Sequence, residues 1–348
     1  MATIRVGREA LLKVLESVSP GLSTRELLEQ SSCYVFTGGQ VFTFNDEVAC
    51  YRKSPLAIEG AVKAKPLVDL LSKMVEDDVE IEQAEGELIV SGKRRKAGIR
   101  MEEEVRLNIE VLEEPETWRK LPKDFSDAIA IVHSCASSEA SQFVLTCVHI
   151  HPDYVEACDR FQIARYPLDT GVEEEVLVRA DSIKKICGFD MTEVSETGSW
   201  IHFRNPAGLT IACRRYVDEY HNLDAYITPK GTTAVSLPGG LDEVVAKAEI
   251  FSGENAAGNL IRVDLRSDRI VITGEGASGW FKEMKKVNYK GSPIQFLISP
   301  KLLLEVTSKS EQCGVSRERL FIDSGKFVYA SCTVADEPVV AVAASEED

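Results

Sequence analysis

The sequence predicts an α+β protein of three tandem domains, each with two helices packed on antiparallel sheets. Three observations carry this. One strand–helix segment occurs three times. Each copy is followed by the same strand–turn–strand. Within each third, the first half repeats the plan of the second. The clearest copy is residues 293–310, P-I-Q-F-L-I-S-P-K-L-L-L-E-V-T-S-K-S. There Ile294 opens a buried strand, Ser299 offers an N-cap oxygen, and Pro300 presets the first helical position. Leu302, Leu303 and Val306 then share one helical face. The other copies are residues 57–74 (A-I-E-G-A-V-K-A-K-P-L-V-D-L-L-S-K-M) and 175–189 (E-V-L-V-R-A-D-S-I-K-K-I-C-G-F). The sequels fall at 79–101, 193–215 and 314–334, each with a basic or polar turn. This periodicity divides the chain into domains 1–119, 120–231 and 232–348, the last ending in the acidic tail 345–348.

In order, residues 6–18 predict an amphipathic helix with Ala10, Leu11, Val14, Leu15 and Val18 inward, stopped by Pro20-Gly21. Residues 33–44 read as a hairpin turning at Gly38-Gly39, and a strand near 48–52 leads into the segment 57–74. The middle third repeats this with a helix over 124–136, a hairpin over 144–157 and a strand at 162–166. The last third follows with a helix over 241–251, a hairpin over 260–273 turning at Ser267-Asp268, and a strand near 281–287. Breaks in periodicity at 118–122 and 228–233 separate the thirds. Each of the six half-units has one helix to cover one face of about four strands, so repetition in a plane gives a curved layer, and closure a ring.

Composition narrows the function. No apolar run is long enough for a membrane helix, and M-A-T-I-R-V lacks the apolar stretch of a signal peptide, so a cytoplasmic protein is expected. The nine cysteines are scattered without C-x-x-C spacing, as reduced thiols in a cytosol-like compartment would be. The net charge of −16 excludes a generic DNA-coating protein. The acids concentrate at 102–104, 110–116, 173–175 and 345–348, which leaves room for a basic inner surface.

Residues 155–168, V-E-A-C-D-R-F-Q-I-A-R-Y-P-L, resemble the central segment of the bacterial β sliding clamps, the processivity factors of replicative DNA polymerases. The family runs Ala-Thr-Asp-Gly-His-Arg-Leu-Ala where this chain has Ala157-Cys158-Asp159-Arg160-Phe161-Gln162-Ile163-Ala164. Asp159 and Ala164 match, Ile163 is conservative, and the Gly-His-Arg core is absent. Residues 63–71 are similar to the second channel helix of the first clamp domain, 88–99 to its following hairpin, and 246–254 to the interface segment of the third. The resemblance extends in patches over nearly the whole chain.

The resemblance implies that the chain is half of a ring, a head-to-tail homodimer that encircles double-stranded DNA without reading its sequence. The seam would set Lys73, Arg95 and Lys96 of one chain against Ile250 and Phe251 of the other. The DNA channel would be lined by Lys65, Lys73, Arg179, Lys184, Lys185, Lys301 and Lys309 on second-half helices, with Arg25, Gln142 and Phe143 in loops. The six predicted helices sum to a charge of about +2, against −16 for the chain. Partners, the replicative polymerase and the clamp loader among them, would dock a short peptide in a groove walled by Val144, Arg160, Phe161, Ile163, Ile227 and Val334. Phe161 replaces a family His, and the usual Met-Pro-Met-rich end is replaced by A-D-E-P-V-V-A-V-A-A-S-E-E-D, so a groove of altered shape is expected. Such a protein needs no cofactor or metal and is not an enzyme.

Two other classes compete. Cys147, His149 and His151 alternate on one strand, and Cys158 on the paired strand completes a set that suits zinc. No G-x-S-x-G, Walker loop, G-x-G-x-x-G or H-E-x-x-H accompanies them. An acidic clamp-like scaffold or inhibitor that binds only proteins is the third reading.

Overall fold

A computed structural model describes residues 3–26, 28–228, 231–252 and 259–336. The acidic tail at 345–348, the end of the segment 246–254 and part of the break at 228–233 lie outside the described residues. The fold is α+β with antiparallel sheets, and its repeat is strand, helix, then three strands. The lead strands are Ile4–Gly7, Gly60–Lys63, Arg119–Lys120, Val176–Arg179, Thr233–Ser236 and Ile294–Ile298. Each runs into its helix: α1 Arg8–Val18, α2 Ala64–Lys73, α3 Phe125–Val132, α4 Ala180–Ile183, α5 Leu241–Glu249 and α6 Pro300–Lys309.

Several helices differ from expectation at their ends. Val6 and Gly7 belong to the lead strand, because Ile4–Gly7 pairs with Asp78–Ala84 and holds Gly7 extended (φ −62°, ψ 122°). α3 stops at Val132 and tightens into a 3-10 turn, His133–Cys135. α4 has one turn before it tightens over Lys184–Gly188. The strand expected from residue 144 begins at Cys147, since Phe143–Thr146 is a 3-10 turn closed by the Thr146 hydroxyl donating to the Phe143 carbonyl at 2.6 Å. Pro300 does open α6, but Ser299 caps through its backbone: its carbonyl accepts from Leu303 N–H at 3.2 Å, and its hydroxyl makes no cap bond. Gly38 and Gly39 take positive φ (57° and 73°), as a two-residue hairpin requires.

By contacts the chain divides into two compact units. The first comprises residues up to 134, 139–155 and 168–220. Here α1 and α2 lie side by side and bury Leu11, Leu15, Leu67 and Leu71, while α3 packs on the turn that continues α4. A 12-stranded sheet lies in this unit. Within it Val48–Lys53, third strand of one first half, pairs with Thr210–Arg214, last strand of the next repeat, in the register Tyr51↔Thr210 to Val48↔Cys213. Trp200 is fully buried beside Cys33, Val35, Phe44 and Ala212, and its indole N–H donates to the Val111 carbonyl at 2.9 Å. That bond satisfies the one polar atom of a large apolar side chain.

The second unit comprises 135–138, 156–167 and residues from 221 onward. α5 and α6 pack together through Val244, Val245, Ala248, Leu302, Leu303 and Val306. Gln162–Pro167 pairs with Val328–Cys332 from Gln162↔Ser331 to Arg165↔Val328. This is the same third-strand-to-last-strand pairing that occurs in the first unit. A five-stranded sheet in this unit ends on one side at Gly279–Lys286.

Candidate functional site

The basic residues expected to face a duplex separate into two groups. Arg25, Lys65, Lys73 and Lys301 are exposed, with no carboxylate in ion-pair range among the described residues. The others are engaged. Lys184 is 2.5 Å from Asp181, Lys185 donates to the Pro20 carbonyl at 2.6 Å, and Arg179 lies 3.6 Å from Glu47. Lys309 corrects the sequence reading: its side chain is only 7% exposed, it pairs with Glu305 at 2.9 Å, and it lies over the Tyr329 ring at 5.6 Å. The i,i+4 spacing draws it along its own helix, so its charge is spent on the core. Phe143 is half-buried with its ring edge-on to Tyr216 at 4.6 Å, and Gln142 is half-buried beside it. With the observed helix ends, and counting the turn after α4, nine Lys/Arg stand against nine Asp/Glu. The helices are therefore neutral rather than +2, while the whole charge of −16 is carried elsewhere.

Carboxylates fix two of the segments that carry the expected groove residues. Asp159 Oδ1 accepts from the backbone N–H of Phe161 (2.7 Å) and Gln162 (2.8 Å), which fixes the turn that projects Arg160 and Phe161. Asp159 Oδ2 also accepts from the Gln162 amide, whose oxygen accepts from the buried Tyr329 hydroxyl at 3.0 Å. Arg160 is exposed and Phe161 is 59% exposed. Ile163 is buried opposite Ala330 and serves as core rather than surface. Arg165 bonds Glu156 at 2.7 Å and reaches Asp224 at 2.7 Å, which anchors the loop that carries the exposed Tyr226 and half-buried Ile227. Val144 is half-buried in the first unit; the other five wall residues belong to the second. Val334 is exposed, but it does not extend the strand that ends at Cys332: it pairs with Leu297 on the five-stranded sheet.

Two of the eight-residue strands have an edge open over most of its length among the described residues. Gly279–Lys286 pairs with Arg269–Gly276 on one side and has no partner on the other among the described residues. It presents Trp280 (70% exposed) and Met284, while Phe281 faces α5 and stacks on Phe251 at 6.4 Å. Ile250, at the end of α5, is 71% exposed. In the first unit, Arg95–Glu102 pairs along Glu87–Gly92, yet meets Gly60–Lys63 only through Met101 and Glu102. That leaves the outer edge of Arg95 to Arg100 unpaired among the described residues, with Arg95 and Lys96 exposed and Lys73 at the end of α2. Unprotected edges of this kind are templates for another strand. Trp280, Met284 and Tyr226 were missed in the sequence reading. The alternation W-x-K-x-M-x-K was the available signal, since apolar residues on the solvent side of a strand mark a covered surface.

Cys147, His149 and His151 do share a strand face, but no group of three His, Cys, Asp or Glu side chains among the described residues is arranged to hold a metal. Cys147 is fully buried, and that burial pushes its thiol up to about 11, against nucleophilic use. His149 bonds Glu175 at 3.1 Å, and His151 stacks on Tyr154 at 4.4 Å.

Solved structures similar to this chain include bacterial DNA polymerase III β subunits. The DNA polymerase III β subunit from Pseudomonas aeruginosa superposes with a TM-score of 0.79 at 18% identity, covering 96% of this chain and 100% of that one. The β chain from Streptococcus pneumoniae gives 0.80 at 13% identity with coverage of 96% and 100%. That from Thermotoga maritima gives 0.79 at 12%, covering 95% and 99%. The chain has the β sliding clamp fold. No protein-family model matches the sequence, and no curated protein matches it. The clamp fold is thus kept here at a sequence identity that leaves few motifs in common. Asp159 is a match that the geometry explains, since it caps the turn before a strand of the fold whatever residues follow.

Proposed function

We propose that this protein is a sliding clamp: a head-to-tail homodimeric ring that encircles duplex DNA and tethers the replicative polymerase and other partners for processive synthesis. The observation that carries the reading is the repetition of one strand pairing. Val48–Lys53 pairs with Thr210–Arg214, and Gln162–Pro167 with Val328–Cys332. In both cases a first half's third strand meets the last strand of the next repeat. With three repeats of 1–119, 120–231 and 232–348, the third such pairing would need Gly279–Lys286 and Arg95–Glu102, and among the described residues each has an edge free to take it. A second copy supplies it, and two copies joined this way at both ends close a cyclic assembly. Lys73, Arg95, Lys96, Ile250 and Phe251 then lie at the seam, joined by Trp280 and Met284.

The clamp makes and breaks no bond and requires no cofactor; it acts in the cytoplasm as a sliding tether. Grip comes from topology, supported by a neutral helical layer that bears Lys65, Lys73 and Lys301, with Arg25 from a loop, toward the phosphates. Few free cations give weak, sequence-independent attraction, which suits sliding. Partner peptides dock against Phe161, Arg160, Ile227 and Tyr226, and because Phe161 stands where the family has His, the favoured motif differs from the common bacterial one. A loader opens or assembles the ring on DNA.

The test is retention on DNA. Labelled protein loaded on a nicked circular duplex should stay bound through gel filtration and be lost once the circle is cut. Equal retention on linear and circular DNA, or a mass in solution that stays at one chain at every concentration and with a loader, would overturn the reading. Unaltered affinity of Phe161→Ala for the common bacterial motif would overturn the groove assignment.

A further inference from the structure

A cavity of about 440 Å³ opens beside the His149 strand, and none of its lining residues is among those assigned above to DNA, seam or groove. Its walls are the rings of His149, Tyr216 and Tyr220, its floor includes buried Leu177, and its rim carries Glu174, Glu175 and Asp218. The rings are held: His149 bonds Glu175, lies 4.8 Å from the Tyr220 ring, and the Tyr216 hydroxyl donates to Glu47 at 2.7 Å. Arg215 is the one basic side chain in the lining besides His149, and it is turned inward. It is 13% exposed, donates to the Thr197 carbonyl at 3.1 Å and reaches Glu174 at 3.7 Å. Asp218 has no cation within ion-pair range among the described residues, and the Glu175 side chain is 70% exposed. Val217, 87% exposed, forms an apolar lip at the mouth.

We infer that this cavity receives an arginine side chain presented by a partner protein. Aromatic faces attract a cation through their quadrupoles, and a planar guanidinium bonds two carboxylates at once where an ammonium acts as a point charge. The lip at Val217 and the Leu177 floor suit the methylene stem that leads the charged head in from a peptide backbone outside. Charge complementarity selects the occupant: a rim of three carboxylates with its one arginine already paired repels phosphate and acidic peptides. This site does not depend on the ring and stands or falls separately from it.

The test is an NMR titration of the full chain with the pentapeptide Gly-Gly-Arg-Gly-Gly, its citrulline counterpart, its lysine counterpart and free arginine amide. Shifts should concentrate at residues 149, 175 and 215–220, with the citrulline peptide bound at least about tenfold more weakly because the charge is gone. Asp218→Asn and Glu175→Gln, both at the surface and neutral to folding, should each weaken the arginine peptide about fivefold, as exposed ion pairs do. No binding, equal binding of the citrulline or lysine peptide, or insensitivity to both variants overturns the assignment. Arginine amide binding as tightly as the peptide overturns a partner-borne side chain in favour of a free small cation.

Discussion

Replacing Trp280 by Ser should break the proposed ring into single chains while leaving each chain folded. The side chain is 70% exposed on an open strand edge, so its removal leaves no cavity in the isolated chain. A tryptophan exposes up to about 250 Å². Covering what is exposed at about 25 cal/mol per Å² corresponds to roughly 4 kcal/mol at most. Truncation of a central aromatic at an interface typically costs about 2 kcal/mol or more. Taking about 2 kcal/mol per seam, and two identical seams in a closed dimer, the dissociation constant should rise on the order of 1,000-fold. Sedimentation equilibrium over a wide concentration range measures this directly, with thermal melting at a concentration where both proteins are monomeric as the folding control. A dissociation constant within threefold of the parent would refute the seam, as would a melting temperature lowered in the monomer, which would assign Trp280 to the chain's own core.

Other outcomes follow from the same geometry. Gly274 lies against α5, where an added Cβ would stand 2.8 Å from the Ala248 carbonyl carbon and closer still to its oxygen. Gly274→Ala should therefore cost about 3 kcal/mol in urea denaturation, because backbone must move, and a loss below about 1 kcal/mol would show that α5 slides freely on its sheet. His202 is fully buried, and burial pushes its imidazole down to about 4 from an ordinary 6.5. The unfolded chain thus binds a proton that the folded one refuses, so stability falls as pH drops from 6.5 toward 4, by about 3 kcal/mol in total. His202→Gln should flatten the acid limb of a stability–pH curve over that window; an unchanged slope would contradict the burial argument. Lys65→Glu with Lys301→Glu should shorten retention on circular DNA and reduce its salt dependence, whereas Lys309→Met should leave both unchanged. Equal effects of the two replacements would mean that Lys309 is freed from Glu305 on DNA.

The repeat is written in the order of residues along the chain. Periodicity of apolar residues and the punctuation by Pro and Gly are local properties, so the three strand–helix segments, the Gly38-Gly39 turn and the Pro300 helix start were all legible along the chain. Helix ends were less so: α4 gives way after a single α-turn to the 3-10 turn Lys184–Gly188, and it is that turn that packs on α3. Which lysines remain free was decided only by the tertiary structure. Lys301 and Lys309 look alike on one helix, yet Lys309 finds Glu305 and the Tyr329 ring, and the second of these comes from a strand twenty residues away. Open edges were hidden for the same reason. A strand's pattern shows which face is apolar, but whether its backbone groups have partners depends on its neighbours in the sheet, and these come from distant segments. The recurring seam, and the two strands left without one, exist only in that pairing.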